Sequence, residues 1–414
     1  MKSIPLINLP APPPGRVAVP MLFALSGCLS LASAAVLLGF WAEEIVARRG
    51  WDTAHALGLT HLMTLGFASS VAIGVSYHLA PRIFGSPRPN QPMGIAVWLC
   101  FALSMSAFVG ALLANANLAA AVAGPLLAAA ILGFLGQMTV VVTRGRRRSL
   151  TSDFFIAALA SLALVALLGS LLSVSLELGF IANPMDVLGA KIVLAVGGWL
   201  GMLIVGVSYQ IIPMFTLSRA RQRFARAAFG LMLVSLVAIP LALVAHVPRL
   251  GAELSAVPYL AGVTLYLMDV FRFMRGRIHS RLTATSVGHM LGATYLAAGT
   301  AAAIPAVGGL LPAPQIAVTG ALIGWVPLFI VSSAVRILPF LIWEGRRPGD
   351  RPRLPTEVPS ALAWWSVGMT APAWPLLALA FGLDSGAIGF VAAICLFSAA
   401  AGLATLGAIA LRAA

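Results

Sequence analysis

The chain has 414 residues, of which 60% are hydrophobic and 9% are charged, and its formal net charge is +14. So apolar a composition excludes an ordinary soluble globular domain, in which about 25% of residues are charged. The charge does not indicate nucleic-acid binding, because the basic residues lie in short segments between apolar runs and not on one module. No polar stretch is long enough to fold alone, so we expect one membrane domain of the all-α class.

The first segment of the chain, residues 1–17, is rich in proline. It lacks a compact apolar region followed by a small-residue cleavage site, so we interpret it as a retained cytoplasmic tail and not as a signal peptide. Residues 18–414 follow as the single membrane domain. The cysteines, Cys28, Cys100 and Cys395, all lie inside apolar runs, which is typical of packing residues and not of a disulfide or metal framework.

Twelve apolar segments that are long enough to cross a bilayer follow the tail. Spans 1 to 12 cover residues 18–44, 54–84, 92–114, 118–143, 153–181, 187–217, 228–249, 253–275, 284–307, 313–343, 359–383 and 386–411. Several exceed the roughly 20 residues that a bilayer requires, so tilted helices or protruding ends are expected. The sequence therefore predicts a polytopic membrane protein.

The loops on the two sides of this predicted bundle differ strongly in charge. The side with both termini and the loops after even-numbered spans carries 22 basic and 5 acidic residues, a net +17; the other side carries 4 and 7, a net −3. The positive-inside rule makes the basic side, with both termini, cytoplasmic. Arg144 to Arg148 and Arg219 to Arg226 carry much of the charge, either as a topology signal or as a patch for lipid headgroups. The preference for Arg over Lys suggests a GC-rich bacterial genome, and hence the bacterial inner membrane.

A short pattern recurs in spans 2, 6 and 10. Each contains a glycine, followed at once by an aromatic residue, that precedes a proline by 15 residues. The glycine and proline pairs are Gly66 and Pro81, Gly198 and Pro213, and Gly324 and Pro339. Small residues allow neighbouring helices to approach, and proline is tolerated at a helix end. We therefore predict three parallel units of four spans, at about residues 18–150, 151–281 and 282–412.

This architecture resembles subunit I of the haem-copper oxidases and nitric oxide reductases, which has twelve spans in three parallel units with the distinctive residues on each second helix. The segment His61-Leu-Met-Thr-Leu-Gly66 is also similar to the histidine-plus-glycine helices of NnrS-type membrane proteins, which are associated with haem, copper and nitric oxide stress. The resemblance covers the whole chain in architecture and the core of each second helix in sequence. It implies a role in respiration or the nitric oxide response, with another respiratory membrane subunit or a cytochrome as partner.

Active members of that family hold a low-spin haem between histidines on the second and tenth helices, a high-spin haem on the tenth, and copper on three histidines from the sixth helix and an adjacent pair. On this resemblance His61 corresponds to a haem ligand. Thr319 on span 10 and Val193 on span 6 occupy its register, the chain has no His-His pair, and its last histidine is His289. The resemblance therefore implies at most one or two b-type haems, no copper and no reduction of oxygen or nitric oxide.

Three histidines are candidate cofactor ligands: His61, His78 and His289. His61 lies inside the membrane, where a polar side chain is costly without a partner, so it is either a haem ligand or a neutral histidine bonded to a neighbouring helix. His78 lies 17 residues further on, about 25 Å along a helix, so it cannot share a cofactor with His61. It is either an interfacial polar residue or, with His289 at the cytoplasmic start of span 9, a ligand of a second haem.

The other ionisable residues suggest no proton path through the bundle. Asp269 and Arg272 on span 8 are spaced to pair as a salt bridge at the cytoplasmic interface. Lys191, close to Asp186, is interpreted as a charge on the outer rim. His55 is a solvated loop residue or a ligand of a surface metal.

Three functions remain open at this stage. The first is a haem-binding accessory or electron-transfer protein, which as an enzyme would be a haem-dependent oxidoreductase. The second is a permease for a small solute or a metal. The third is a structural subunit of a membrane complex.

Overall fold

The computed structural model describes residues 18–47, 53–278, 282–307, 319–344 and 360–412. The predicted tail, residues 1–17, lies outside these ranges, as do Arg48, Arg49 and His279. The described residues are helical, with short connections and no strand.

Twelve long helical segments, labelled α1 to α12 in chain order, make up the described part of the chain. They are α1 Ala18–Ala47, α2 Ala54–Phe84, α3 Gln91–Leu113, α4 Asn117–Thr143, α5 Leu150–Leu178, α6 Pro184–Thr216, α7 Ala225–Val244, α8 Val257–Arg275, α9 Ala284–Val307, α10 Gly320–Trp325 continued by Val326–Glu344, α11 Ser360–Thr370 followed by Ala373–Gly382, and α12 Gly386–Arg412. A short helix, Arg249–Leu254, precedes α8.

Ten of the helices within the described ranges, all but α9 and α11, are long and apolar enough to cross a membrane. This confirms the prediction of an all-α polytopic membrane protein. Predicted span 9 is present as the 24-residue helix α9. Predicted span 11 is interrupted before Pro372, because proline lacks the backbone N–H that would continue the helical hydrogen bonds.

The helices α2, α6 and α10 each contain a π-helical segment, over Leu62–Ser69, Val193–Met202 and Gly320–Trp325. Each segment contains the glycine and aromatic pair found in the sequence. π-Helical turns are rare and are frequent at functional sites. Their presence at the same place in three helices directs attention to the region where these helices meet.

Close contacts between α1 and α2 use two glycines of α2. A Cβ placed on Gly66 would lie 2.7 Å from the Cβ of Ser30, and one placed on Gly74 would lie 2.8 Å from the Cβ of Phe23. Real Cβ atoms do not approach so closely, so glycine is what permits this helix separation.

The same two contacts recur between α5 and α6 and between α9 and α10. The corresponding pairs are Gly198 with Ser161, Gly206 with Phe154, Gly324 with Tyr295, and Ser332 with Gly288. In the last pair the glycine lies on the first helix and the serine on the second. These local contacts are equivalent by position, whereas the superposition of three whole units stays a prediction.

We expect Gly74→Ala to lower the stability of the protein by about 1–3 kcal/mol, the usual effect of overpacking a tight interior. The added methyl group would meet the Pro20 carbonyl oxygen at 3.0 Å and the Phe23 Cβ, neither of which can rotate away. Thermal unfolding of purified protein in detergent measures the change. Gly136→Ala in α4 is the matched control, since a Cβ there meets nothing within 4 Å. A similar melting temperature for both variants would contradict the packing argument.

The three helices whose π-helical segment contains the glycine and aromatic pair, α2, α6 and α10, lie at the centre of the bundle. Buried residues make up 61% to 72% of their apolar windows, compared with 28% to 44% in the other seven membrane-spanning helices of the described part. The surrounding helices form a closed ring of contacts in which α4 packs on α5, α8 on α9, and α12 on α1. At the centre α2 contacts α10, and the Trp199 indole N–H of α6 donates to the Ser69 Oγ of α2 at 3.0 Å.

Candidate functional site

A cavity of about 290 Å³ lies where α2, α6 and α10 meet. Side chains from α1, α5 and α11 complete its wall, and most of them are apolar. Its polar lining residues are Thr60, His61, Thr64, Ser69, Lys191 and Thr319. Among the described residues of the wall, His61 and Lys191 are the two ionisable groups. The cavity is close to the lower end of the range for ligand sites, about 300 to 1,000 Å³.

His61 is the last residue before the π-helical segment of α2. Its Nδ1 lies 2.7 Å from the carbonyl oxygen of Leu57. A carbonyl only accepts hydrogen bonds, so Nδ1 carries the hydrogen and Nε2 carries the lone pair. The ring also packs edge to face on Phe108, with 5.2 Å between centroids. This pair of contacts orients the imidazole in the wall of the cavity.

Lys191 lies on α6 two residues before the π-helical segment and lines the same cavity. A second, smaller cavity of about 40 Å³ also has both His61 and Lys191 in its wall. Lys191 therefore lines both cavities and is not a charge on the outer rim, so that interpretation is corrected. Asp186, its expected neighbour, pairs with His246 at 3.0 Å. The sequence signal for Lys191 was an ionisable residue inside an apolar span, which is a functional candidate by default.

Thr319 lines the cavity together with His61, as their equal register in the sequence suggests. Its side chain is 6% exposed. The hydroxyls of Thr60 and Thr64 donate to carbonyl oxygens one turn earlier in α2, at 2.8 and 2.7 Å. Because their hydroxyl hydrogens are used in this way, Thr60 and Thr64 offer oxygen lone pairs to a ligand in the cavity.

His78 and His289 lie elsewhere in the bundle. The Nε2 of His78 is hydrogen-bonded to the guanidinium of Arg82, one turn further along α2. His289 is buried on α9, where its Nε2 lies 3.0 Å from the Ser333 Oγ and its ring stacks parallel to Phe215 at 6.3 Å. Neither residue lines the central cavity. Among the described residues that line the central cavity, His61 is the one histidine. The pairing of His78 with His289 around a second haem stays a prediction.

Asp269 has a different role from the interfacial salt bridge that was predicted. The pairing with Arg272 is present at 3.8 Å, but the carboxylate is fully buried. It accepts hydrogen bonds from the backbone N–H groups of Arg223 and Phe224, at 3.0 and 2.8 Å, immediately before α7. Asp269 therefore ties α8 to the start of α7, a contact that sequence spacing cannot reveal.

His55 belongs to a small cluster at one end of α2. Its Nδ1 lies 2.9 Å from a carboxylate oxygen of Glu44, and its ring stacks on Trp41 with 4.1 Å between centroids. The ring is held between these two neighbours and is not a solvated loop residue. No group of three or more His, Cys, Asp or Glu side chains suited to a metal ion occurs in the described ranges. The expectation that copper is absent stays a prediction.

The donor set of the central cavity fits a haem with a single protein imidazole. A ligating histidine typically donates its other ring N–H to a carbonyl or carboxylate, as His61 does to Leu57. One proximal histidine is sufficient for haem in several protein classes. Two-histidine ligation between α2 and α10 does not fit, because the described residues of α10 and its N-cap that line the cavity, Thr319, Leu322 and Ile323, include no histidine. Lys191 is the group available to pair with a haem carboxylate.

No family model and no curated protein matches the chain.

Proposed function

We propose that this membrane protein binds one b-type haem in its central cavity through His61 and serves as an accessory or electron-transfer protein in respiration or the nitric oxide response. The observation that carries the proposal is that three π-helical segments converge on one cavity, with an oriented imidazole at the start of one of them. Support also comes from the resemblance to haem-copper oxidase subunit I.

The residues around the cavity have distinct roles in this proposal. The Nε2 lone pair of His61 binds the iron, and its bond to Leu57 maintains the ring orientation. Lys191 donates hydrogen bonds to a carboxylate of the ligand. The apolar wall excludes water. Haem, when bound, supplies one-electron chemistry.

The absorbance spectrum of the purified protein tests this function. We expect a Soret band and about one haem per chain by pyridine haemochrome analysis. A colourless protein from cells supplied with a haem precursor would overturn the proposal.

A small-solute permease is the second candidate. It is favoured by the second cavity, which lies beside His61 and Lys191 on the side of α4 and α5 and extends the accessible space away from the centre. A colourless protein whose vesicles take up a small solute, with uptake lost in a Lys191→Met variant, would favour this function over haem binding.

We further propose that both termini are cytoplasmic in a bacterial inner membrane, from the net +17 on one side of the bundle and −3 on the other. A single cysteine introduced at Arg146, after removal of the native cysteines, should resist a membrane-impermeant maleimide in intact cells and react once the membrane is opened. A cysteine introduced at Ala182, between α5 and α6, is the control and should react in intact cells. The reverse labelling pattern would contradict the orientation.

A further inference from the structure

A strongly basic pocket of about 620 Å³, separate from the two cavities at His61, lies at the opposite end of the bundle. Three elements form it: the last turns of α2, the loop that precedes α5, and helix α6. Its polar lining residues are Arg82, Arg146, Arg147, Arg148, Ser149 and Gln210. None of its described lining residues is acidic. One carboxylate, that of Asp153, lines an adjoining pocket with Arg148 and Arg226.

The loop that carries these arginines is held against the end of α2. The backbone N–H of Arg147 donates to the carbonyl oxygen of Phe84 at 2.9 Å, and the guanidinium of Arg148 lies over the Phe84 ring at 5.5 Å. Gly145 packs so closely that a Cβ there would lie 2.8 Å from the Phe84 Cβ. Gly85 adopts φ 61°, a conformation that favours glycine, and so lets the chain leave α2 beside the loop. The basic run is therefore a docked element and not a loose charged loop.

The start of α5 adds to the positive potential of the pocket. Ser149 lines the pocket and is the N-cap of this 29-residue helix, joined to Ser152 in a capping box. Helix N-termini carry a partial positive charge and stabilise anions. On the opposite wall, the bond to His78 orients Arg82. Guanidinium groups from two separate elements thus face one concave space.

We propose that this basic pocket binds a phosphate group, carried either by the headgroup of an anionic lipid or by a soluble phosphate. Guanidinium groups form paired, charge-assisted hydrogen bonds with phosphate oxygens. A patch that acted only as a topology signal would not need a concave shape or a docked loop. The site is independent of the haem proposal, since it shares no lining residue with the central cavity.

The test compares wild type with an Arg146→Gln/Arg147→Gln double variant in full-length purified protein. The matched control is Arg219→Gln/Arg221→Gln, which removes the same charge from exposed arginines of the same side that do not line the pocket. One arm titrates inorganic phosphate into protein in detergent and follows thermal unfolding. The other compares nanodiscs of phosphatidylcholine with and without phosphatidylglycerol. Should the double variant fail to fold, Arg146→Gln alone replaces it, because this side chain is exposed.

We expect the ligand to raise the melting temperature of wild type and of the control variant. The pocket variant should bind it with about tenfold lower apparent affinity, because charge-assisted hydrogen bonds are lost. A response to phosphate assigns a soluble ligand, and a response to phosphatidylglycerol alone assigns a lipid headgroup; both support the pocket. Equal responses of the two double variants, or no response of wild type in either arm, would overturn it.

Discussion

His61→Gly should abolish the haem absorbance expected for the purified protein, and haem added together with imidazole should restore it once unbound haem is removed. The variant removes the single imidazole of the central cavity, and the space it leaves allows a free imidazole to occupy the same position. Because Nδ1 of His61 is held by Leu57, its Nε2 is the group that the iron would lose. The measurement is the Soret band and the haem content per chain, before and after incubation with haem and imidazole and removal of the unbound haem.

His78→Gly is the matched control, since it also removes an imidazole from α2 but at a site outside the cavity. With one haem in the central cavity, as proposed, its spectrum should equal that of wild type, whereas a partial loss of absorbance would assign a second haem to His78. A further variant, Lys191→Met, should keep the position of the band and lower the haem occupancy, because it removes the partner proposed for a haem carboxylate. An unchanged spectrum in His61→Gly would make His61 a hydrogen-bonded packing residue instead of a ligand.

Asp269→Ala should lower the free energy of unfolding by about 2–5 kcal/mol, the sum expected for two partly buried backbone N–H groups that lose a charged acceptor. The carboxylate is fully buried and accepts from Arg223 and Phe224 at the start of α7, so its removal also releases α7 from α8. Chemical unfolding in mixed micelles, followed by tryptophan fluorescence, measures the change.

Asp269→Asn should lose less stability than the alanine variant, because the amide oxygen still accepts one of the two hydrogen bonds. Asp153→Ala is the control for the loss of a carboxylate on the same side. Asp153 is exposed in the first turn of α5, where a carboxylate contributes about 0.3–1 kcal/mol through the helix dipole. If the losses at Asp269 and Asp153 were equal, the buried hydrogen bonds of Asp269 would not contribute as proposed.

Apolar run length was sufficient to predict the fold class and most helix bounds, because every backbone polar group inside a bilayer must be satisfied within its own helix. Span 2, residues 54–84, and span 9, residues 284–307, agree with helices α2 and α9 at both ends. The spacing of glycine and proline marked the same three helices that the structure places at the centre of the bundle, although it did not predict that central position. His61 was identified for the same reason, since an imidazole in an apolar span is costly without a role.

Tertiary structure decided which polar residues meet. Lys191 and His61 are 130 positions apart, and only the packing of α6 against α2 places them in one cavity. Asp269 was assigned a local partner at i+3, yet its closest bonds reach Arg223 and Phe224 across a helix pair. The π-helical segments were not predicted from the sequence, although each contains the recurring glycine and aromatic pair. The sequence by itself determined which segments enter the membrane, through local apolar content, whereas the site depends on long-range contacts that no local pattern encodes.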